Sequence, residues 1–294
     1  MNIIKFKPIF FIVSAILIIT SILSMVFWGF KPSIDFVGGS VWELNLPSKP
    51  DNSVINSIFS QNNISTPTIN IDNTDYLIQF PDISLEQKQL LVNEIKTLDP
   101  DFQELKFEAT GPTLGKELRN KTITAIILSC LAILLFIASR FHDFHFGLAA
   151  ILALIHDCVV LMGSFSILGH FFGAEFNTLF VTALLTTLSL SVYDTVVIFD
   201  RMRELKFKNI KLDWEYLGNQ AIVESLTRSI NTSATTLFTL IALITLGGST
   251  TRWFATALSV GITCGTYSSI GVAIPLVLFF KNHSKKKEFT LKVI

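Results

Sequence analysis

Charge is scarce in this sequence. Only 16% of its 294 residues are Asp, Glu, Lys or Arg, where a soluble domain carries about a quarter. The 23 basic and 23 acidic residues cancel, and no run of Lys/Arg is interleaved with aromatics. Without a basic field there is nothing to track a phosphate backbone, so nucleic acid is excluded as a partner. Cysteine is scarce too. Cys130, Cys158 and Cys264 each stand alone inside an apolar run, which predicts small buried hydrophobes and neither a disulfide framework nor a metal set. No phosphate-binding glycine loop, zinc-ligand spacing or nucleophile elbow occurs; the short GG at Gly38 and Gly39 lacks the rest of such a loop. The expectation is a chain with no metal, no resident cofactor and no enzymatic chemistry.

Apolar residues are abundant, at 50% of the chain. Six stretches, near 9–29, 121–139, 147–169, 179–199, 228–247 and 254–280, reach the roughly 20 residues that cross a hydrocarbon core. The first follows Lys5 and Lys7 but exceeds the apolar length of a signal peptide and has no small-x-small cleavage site after it, so an uncleaved anchor is expected. Lys5, Lys7, Arg140, Arg201, Arg203, Lys206, Lys208 and Lys211 fall on one side of the spans, with Lys281, Lys285, Lys286, Lys287 and Lys292. The positive-inside rule then makes both termini cytoplasmic. The expected organisation is a cytoplasmic N-terminus with the first span (1–30), an extracytoplasmic domain (31–118), spans two to six (119–280) and a basic cytoplasmic tail (281–294).

Segment 31–118 carries thirteen Asp/Glu against six Lys, in keeping with a location across the membrane. Its alternating SVWELNL (40–46) predicts a strand. DNSVINSIFSQ predicts a helix capped by Asp51, PTINID and DYLIQF a hairpin around Asn73, SLEQKQLLVNEIKTL a helix opened by a Ser84–Gln87 capping box, and FQELKFEA a last strand. The order βαββαβ is that of a small α+β, ferredoxin-like domain. The fold class expected is an α-helical polytopic membrane protein of six transmembrane helices carrying that domain between spans one and two. Gly38 and Gly39 follow a strand-like IDF and predict a tight turn or close backbone approach that sets the angle between the first span and the domain.

Ionisable groups at membrane depth cost several kcal/mol and mark pathways or pairs. Asp194 lies six residues before Asp200, about 9 Å inside the end of the fourth span. Arg228 opens the fifth span, followed by Ser, Asn and Thr residues that include Asn231 and Thr232. The two spans run antiparallel, so Asp194 and Arg228 can meet. A carboxylate that approaches and leaves a guanidinium in low dielectric switches its affinity for a proton; a bridge that only fixes helix register is the alternative. His156 and Asp157 sit mid-span in the third span, but neighbours on a helix point about 100° apart and are not expected to share one path. Asp200 and Arg201 read as a solvated interfacial cluster with a topogenic role. Gly261 and Gly265, spaced GxxxG, read as close helix packing.

Taken together, IDFVGGS (34–40), GPTLGKEL (111–118), ALIHD (153–157), YDTVVIFDRMRE (193–204), LTRSINTSATTL (226–237) and GTYSSIGVAIPL (265–276), in register with six spans, resemble the SecF branch of the SecD/SecF family, within the resistance-nodulation-division superfamily. The resemblance implies a preprotein translocase subunit of the bacterial inner membrane. It would work with SecD on a preprotein leaving the SecYEG channel, with YajC and SecA in the holocomplex, driven by protons as the coupling ion. It also implies that Asp194 is the proton-relay carboxylate and Arg228 its partner. The pattern departs at Tyr193, where many members have Asn, placing a phenol where an amide would lie in the hydrogen-bond path. A proton-driven exporter of small molecules or lipids is the alternative function, and a passive scaffold a third.

Overall fold

The computed structural model describes residues 2–72, 74–210 and 212–293; the side chains of Asp72 and 284–293 lie outside the description. The expected turn at Asn73, Lys211, and the side chains of Lys285, Lys286, Lys287 and Lys292 therefore lie outside the described residues. A short 3-10 turn, Ile4–Phe6, leads into α1 (Lys7–Phe27). Then follow α2 (Ile34–Val37), β1 (Gly39–Asn45), α3 (Asn52–Gln61), β2 (Thr68–Asp72), β3 (Asp75–Phe80), α4 (Leu85–Leu98) and β4 (Gln103–Thr110). The remainder is helical: α5 (Pro112–Arg140), α6 (Phe144–Phe172), α7 (Thr178–Lys208), α8 (Trp214–Leu246), α9 (Ser249–Ser268), a π-helical stretch Ser269–Ala273, and α10 (Ile274–Val293). The chain divides into two units, Met1–Lys31 with Ala125–Ile294, and Pro32–Thr124.

In the Pro32–Thr124 unit the strands pair antiparallel in the order β2-β3-β1-β4. Alternation along β1 buries Trp42 and Leu44, and along β3 Tyr76, Ile78 and Phe80. These meet Ile55 and Phe59 of α3 and Leu91 and Ile95 of α4 in one apolar core. The period-2 pattern of the strands and the 3.6-residue pattern of the helices converge on the same layer. Ser84 caps α4, accepting from the Gln87 amide while the Gln87 side chain accepts from the Ser84 amide. Asp51 occupies the N-cap of α3, but its carboxylate accepts from the Ser53 hydroxyl instead of a helix amide. The IDF stretch expected to be strand-like is the one-turn helix α2, opened by Ser33 accepting from the Asp35 amide. Gly38 (φ +79°) and Gly39 (φ +131°) follow it, and a Cβ on either would come within 2.9 Å of backbone, at Pro112 and Phe80 respectively. Both need glycine for conformation and for space.

Among the described residues six helical spans are long and apolar enough to cross a membrane, the last formed by α9, the π-helical stretch and α10 as far as His283. Several exceed their apolar portion. The connection expected to hold about 28 residues between the fourth and fifth spans is nearly all helix, because α7 runs to Lys208 and α8 starts at Trp214. Glu, Lys, Arg and Gln propagate a helix as well as apolar residues do, so hydropathy located the buried part and missed the polar ends. GPTLGKEL is likewise the first turns of α5. The helical core is α6, α7 and the final span, contributing Phe146, Ala153, Phe165, Phe180, Phe199, Ala257 and Val277. Their most apolar windows are 56%, 56% and 67% buried, against 6% for α5 and 11% for α8. Small residues bring helices close: a Cβ on Gly163 would fall 2.2 Å from Ser21, on Gly261 2.4 Å from Thr187, and on Gly265 2.9 Å from Ser191.

Candidate functional site

Asp194 lies on the half of α7 nearest Lys208, half-buried, and its carboxylate accepts from Ser229 Oγ of α8 at 2.9 Å. The expected ion pair with Arg228 is not formed. Arg228 is exposed, its guanidinium donates to the Tyr193 hydroxyl, and it stands 5.7 Å from the centre of that ring. The reason is angular. Arg228 and Ser229 are adjacent on a helix and about 100° apart, so when Ser229 faces α7 the longer side chain turns to the polar end of the bundle. There it lines an open cavity of about 860 Å³ with Arg140, Asp200, Arg201, Arg203, Glu204, Glu224 and Ser225.

That cavity belongs to a charged end of the helical unit. Asp200 pairs with Arg140 and, at 3.6 Å, with Arg203. Arg201 bridges Glu224 and Glu204, and Lys208 meets Glu204 at 2.7 Å. Lys7 pairs with Glu215, and Lys281 with Asp143, which caps α6. Burial pushes the Asp143 carboxyl up, but bonds from Lys281 and from the His145 side chain and amide outweigh it and hold the group below the usual carboxylate range. Asp200 and Arg201, expected as a solvated cluster, thus join three helices together.

The second polar centre lies in the core. Asp157 is 5% exposed and His156 3%. Asp157 Oδ2 accepts from Ser191 of α7 at 2.5 Å and from Ser268 of α9 at 2.6 Å. Oδ1 accepts from Cys264 at 3.2 Å and lies 2.9 Å from His156 Nδ1. The expectation that neighbours 100° apart cannot share a site fails because α6 is enclosed on most sides and the imidazole folds back onto the next carboxylate. Cys264 is buried as expected but acts as a donor. By atom type His156, Asp157 and Cys264 form a candidate metal group, with ligand atoms within 4.8 Å of one another; those atoms are already joined by hydrogen bonds through Asp157, and we assign them no metal.

Asn231 and Thr232 are exposed on α8, Thr232 donating to the Arg228 carbonyl at 3.0 Å. They stand apart from the Ser229–Asp194 contact. Ser229, Ser191 and Ser268 were not among the residues singled out from the sequence; the available signal was that each is a hydroxyl inside an apolar span. On the exposed side of α7, Thr182, Thr186, Ser189 and Tyr193 form a polar line, and on α8 Arg228, Thr232, Thr235 and Thr239 form another.

The family described as protein export membrane protein SecD/SecF, C-terminal, matches residues 91–283. The protein translocase subunit SecF of Thermobaculum terrenum is 36% identical over 96% of this chain and 94% of its own length. That of Synechocystis sp. is 33% identical over 98% and 96%. The crystal structure of SecDF from Thermus thermophilus superposes with a TM-score of 0.84 at 32% identity, covering 96% of this chain. This chain spans 39% of that longer SecDF chain. With the fold, the six apolar spans and near full-length identity in agreement, the chain belongs to the SecF proteins of the SecD/SecF family and is a multi-pass membrane protein.

Proposed function

We propose that this chain is a non-enzymatic subunit of the Sec preprotein translocase that, with SecD, uses the proton motive force to promote export through SecYEG. The observation that carries the reading is Asp194: a half-buried carboxylate within an apolar span, held by one hydroxyl at 2.9 Å, beside an arginine that opens onto a polar cavity. A group so placed costs several kcal/mol in hydrocarbon and is retained where protons or ions pass. Exchange of Tyr193 for the carboxylate by Arg228, one position from Ser229, would alter the proton affinity of Asp194 between two states. The polar lines on α7 and α8 have no covering helix among the described residues and suit a second membrane subunit. The relative named SecDF, in which both halves share one chain, supports SecD in that place. The charged end is the cytoplasmic one by the positive-inside rule, with the βαββαβ unit, ferredoxin-like in its strand order, outside the bacterial inner membrane. SecA, YajC and the preprotein enter through the assembled complex.

The test is secretion into inverted membrane vesicles with the gradient intact or collapsed. Asp194→Asn should reduce gradient-driven secretion to the collapsed-gradient level while the chain still copurifies with SecD. Full gradient-dependent secretion by that variant would overturn the proposal.

A further inference from the structure

Four groups converge on Asp157, and three of them, Ser191, Ser268 and Cys264, are hydroxyl or thiol donors. The carboxylate has no Lys or Arg within ion-pair distance among the described residues; the one ionisable nitrogen beside it is His156 Nδ1 at 2.9 Å. A carboxylate that already accepts three bonds takes a fourth, so Nδ1 carries the proton and donates it. That fixes the tautomer, because a neutral imidazole protonated on Nδ1 has a bare lone pair on Nε2. His156 Nε2 is buried and has no hydrogen-bond partner among the described residues. Buried polar atoms are nearly always paired, so an orphaned acceptor opposite a saturated carboxylate calls for an explanation.

We propose that His156 and Asp157 form a second proton-holding site in the helical unit, with Asp157 fixing the ring and Nε2 taking up the proton. In the balanced step, hydronium gives its proton to Nε2 and leaves as water, and the neutral imidazole becomes an imidazolium carrying protons on both nitrogens. Its positive charge then cancels the Asp157 carboxylate 2.9 Å away, so uptake converts a buried net negative cluster into a neutral pair. No bond other than N–H and O–H changes.

The surroundings leave His156 alone in this role. From α9 it faces Cys264, which donates to Asp157, and Tyr267, whose ring centre is 6.2 Å away and whose hydroxyl donates to the Phe10 carbonyl. On α7, Ser191 donates to Asp157, and Asp194 is held by Ser229 of α8. Lys7 of α1 and Lys281, the lysine of α10 whose side chain is described, are engaged with Glu215 and Asp143. Asp143 is thirteen residues from His156 along α6, about 20 Å. The π-helical stretch Ser269–Ala273 begins directly after Ser268, and such bulges concentrate at functional sites because they turn side chains off the regular helical positions. The use of this proton in transport rests on the proton-coupled reading of Asp194, whereas the site itself does not.

Histidine-selective nitrogen NMR of the full chain in lipid nanodiscs separates the two questions. The chain has five histidines, and His156→Asn, which keeps an N–H for Asp157, identifies the signal by its loss. The expected result is a His156 ring protonated on Nδ1 at high pH that becomes doubly protonated as pH falls, and that reverts to the Nε2–H tautomer in Asp157→Asn. A ring found as Nε2–H in the wild type, or unchanged with pH, overturns the proposal. In vesicles, His156→Asn should shift the pH profile of gradient-driven secretion, and an unshifted profile overturns its part in coupling. If wild-type secretion ignores the gradient, the Asp194 reading fails while the NMR titration still decides the site.

Discussion

Asp99 and Asp194 are both carboxylates anchored by few donors, one in the Pro32–Thr124 unit and one in an apolar span, and the consequences differ. Asp99 accepts from the amides of Ser48 at 2.9 Å and Asp101 at 3.2 Å. The Ser48 amide, ahead of other contributions, holds its carboxyl below the ordinary range. A depressed folded value means the stabilisation is complete above the unfolded value of about 3.9 and is lost as pH falls through the lower folded one. Asp99→Ala should therefore destabilise the full chain by about 1–3 kcal/mol at neutral pH. In denaturant unfolding, the gap from wild type should narrow below about pH 4. At Asp194 the comparison is between neighbours. Ser229→Ala removes the hydroxyl from a half-buried carboxylate and should cost about 1–2 kcal/mol. Tyr193→Phe cuts only the bond to an exposed Arg228 and should cost less than about 1 kcal/mol. Equal losses in unfolding from mixed micelles would contradict the assignment of Ser229 as the anchor. The sequence identifies Asp194 and Arg228 as expensive residues on antiparallel helices. It does not identify which of Arg228 and Ser229 faces inward, because that depends on the rotation of α8, and a helix so little buried has no strong apolar stripe to fix it.

At the scale of elements, small residues decide how closely helices approach. α1 reaches α6 at Gly163, whose carbonyl accepts from Ser24 at 3.0 Å, while Ser166 donates to the Ser24 carbonyl at 2.9 Å. Gly163→Ala puts a methyl 2.3 Å from the Ser21 Cα, and backbone cannot step aside as a side chain can. The substitution should cost at least about 1–3 kcal/mol and weaken both serine bonds. A wild-type unfolding midpoint in Gly163→Ala would show that α1 is not seated there. Strands and amphipathic helices were readable where one face is buried, as in DYLIQF, since the pattern reports a real alternation of environments. Helix ends were not, because polar residues past the membrane extend α7 and α8 without any hydrophobic signal. The short α2 was missed because four apolar-acidic residues do not distinguish one helical turn from a strand.

Across the whole molecule, burial is uneven in a way that composition alone conceals. α5 and α8 carry apolar windows only 6% and 11% buried, and α8 adds exposed Thr232, Thr235 and Thr239 to its surface. Threonines bonded back to their own helix are tolerated beside lipid, yet a line of them next to Arg228 favours a protein neighbour. A photo-crosslinking residue at Thr235 should attach to SecD when the two are co-expressed, and crosslinking to lipid alone would remove that face from the interface. The closeness of Gly261 to Thr187 and of Gly265 to Ser191 was foreshadowed by the GxxxG spacing, that of Gly163 to Ser21 by nothing in the sequence, since glycine says where two backbones come close but not which two.

The π-helical stretch Ser269–Ala273 divides the last span into two rotational phases. One residue more than a regular helix is accommodated there, so everything beyond it is turned by about 100° and shifted by 1.5 Å relative to an unbroken continuation of α9. Ser268, Cys264 and Gly261 are in phase with α6 and α7 on one side, while Ile274, Val277 and Leu278 bury themselves on the other. No single helical wheel places both sets inward. A migration of the bulge by one position would rotate only the intervening residue from one setting to the other, so this span can turn a buried side chain from one neighbouring helix toward another without moving either of its ends.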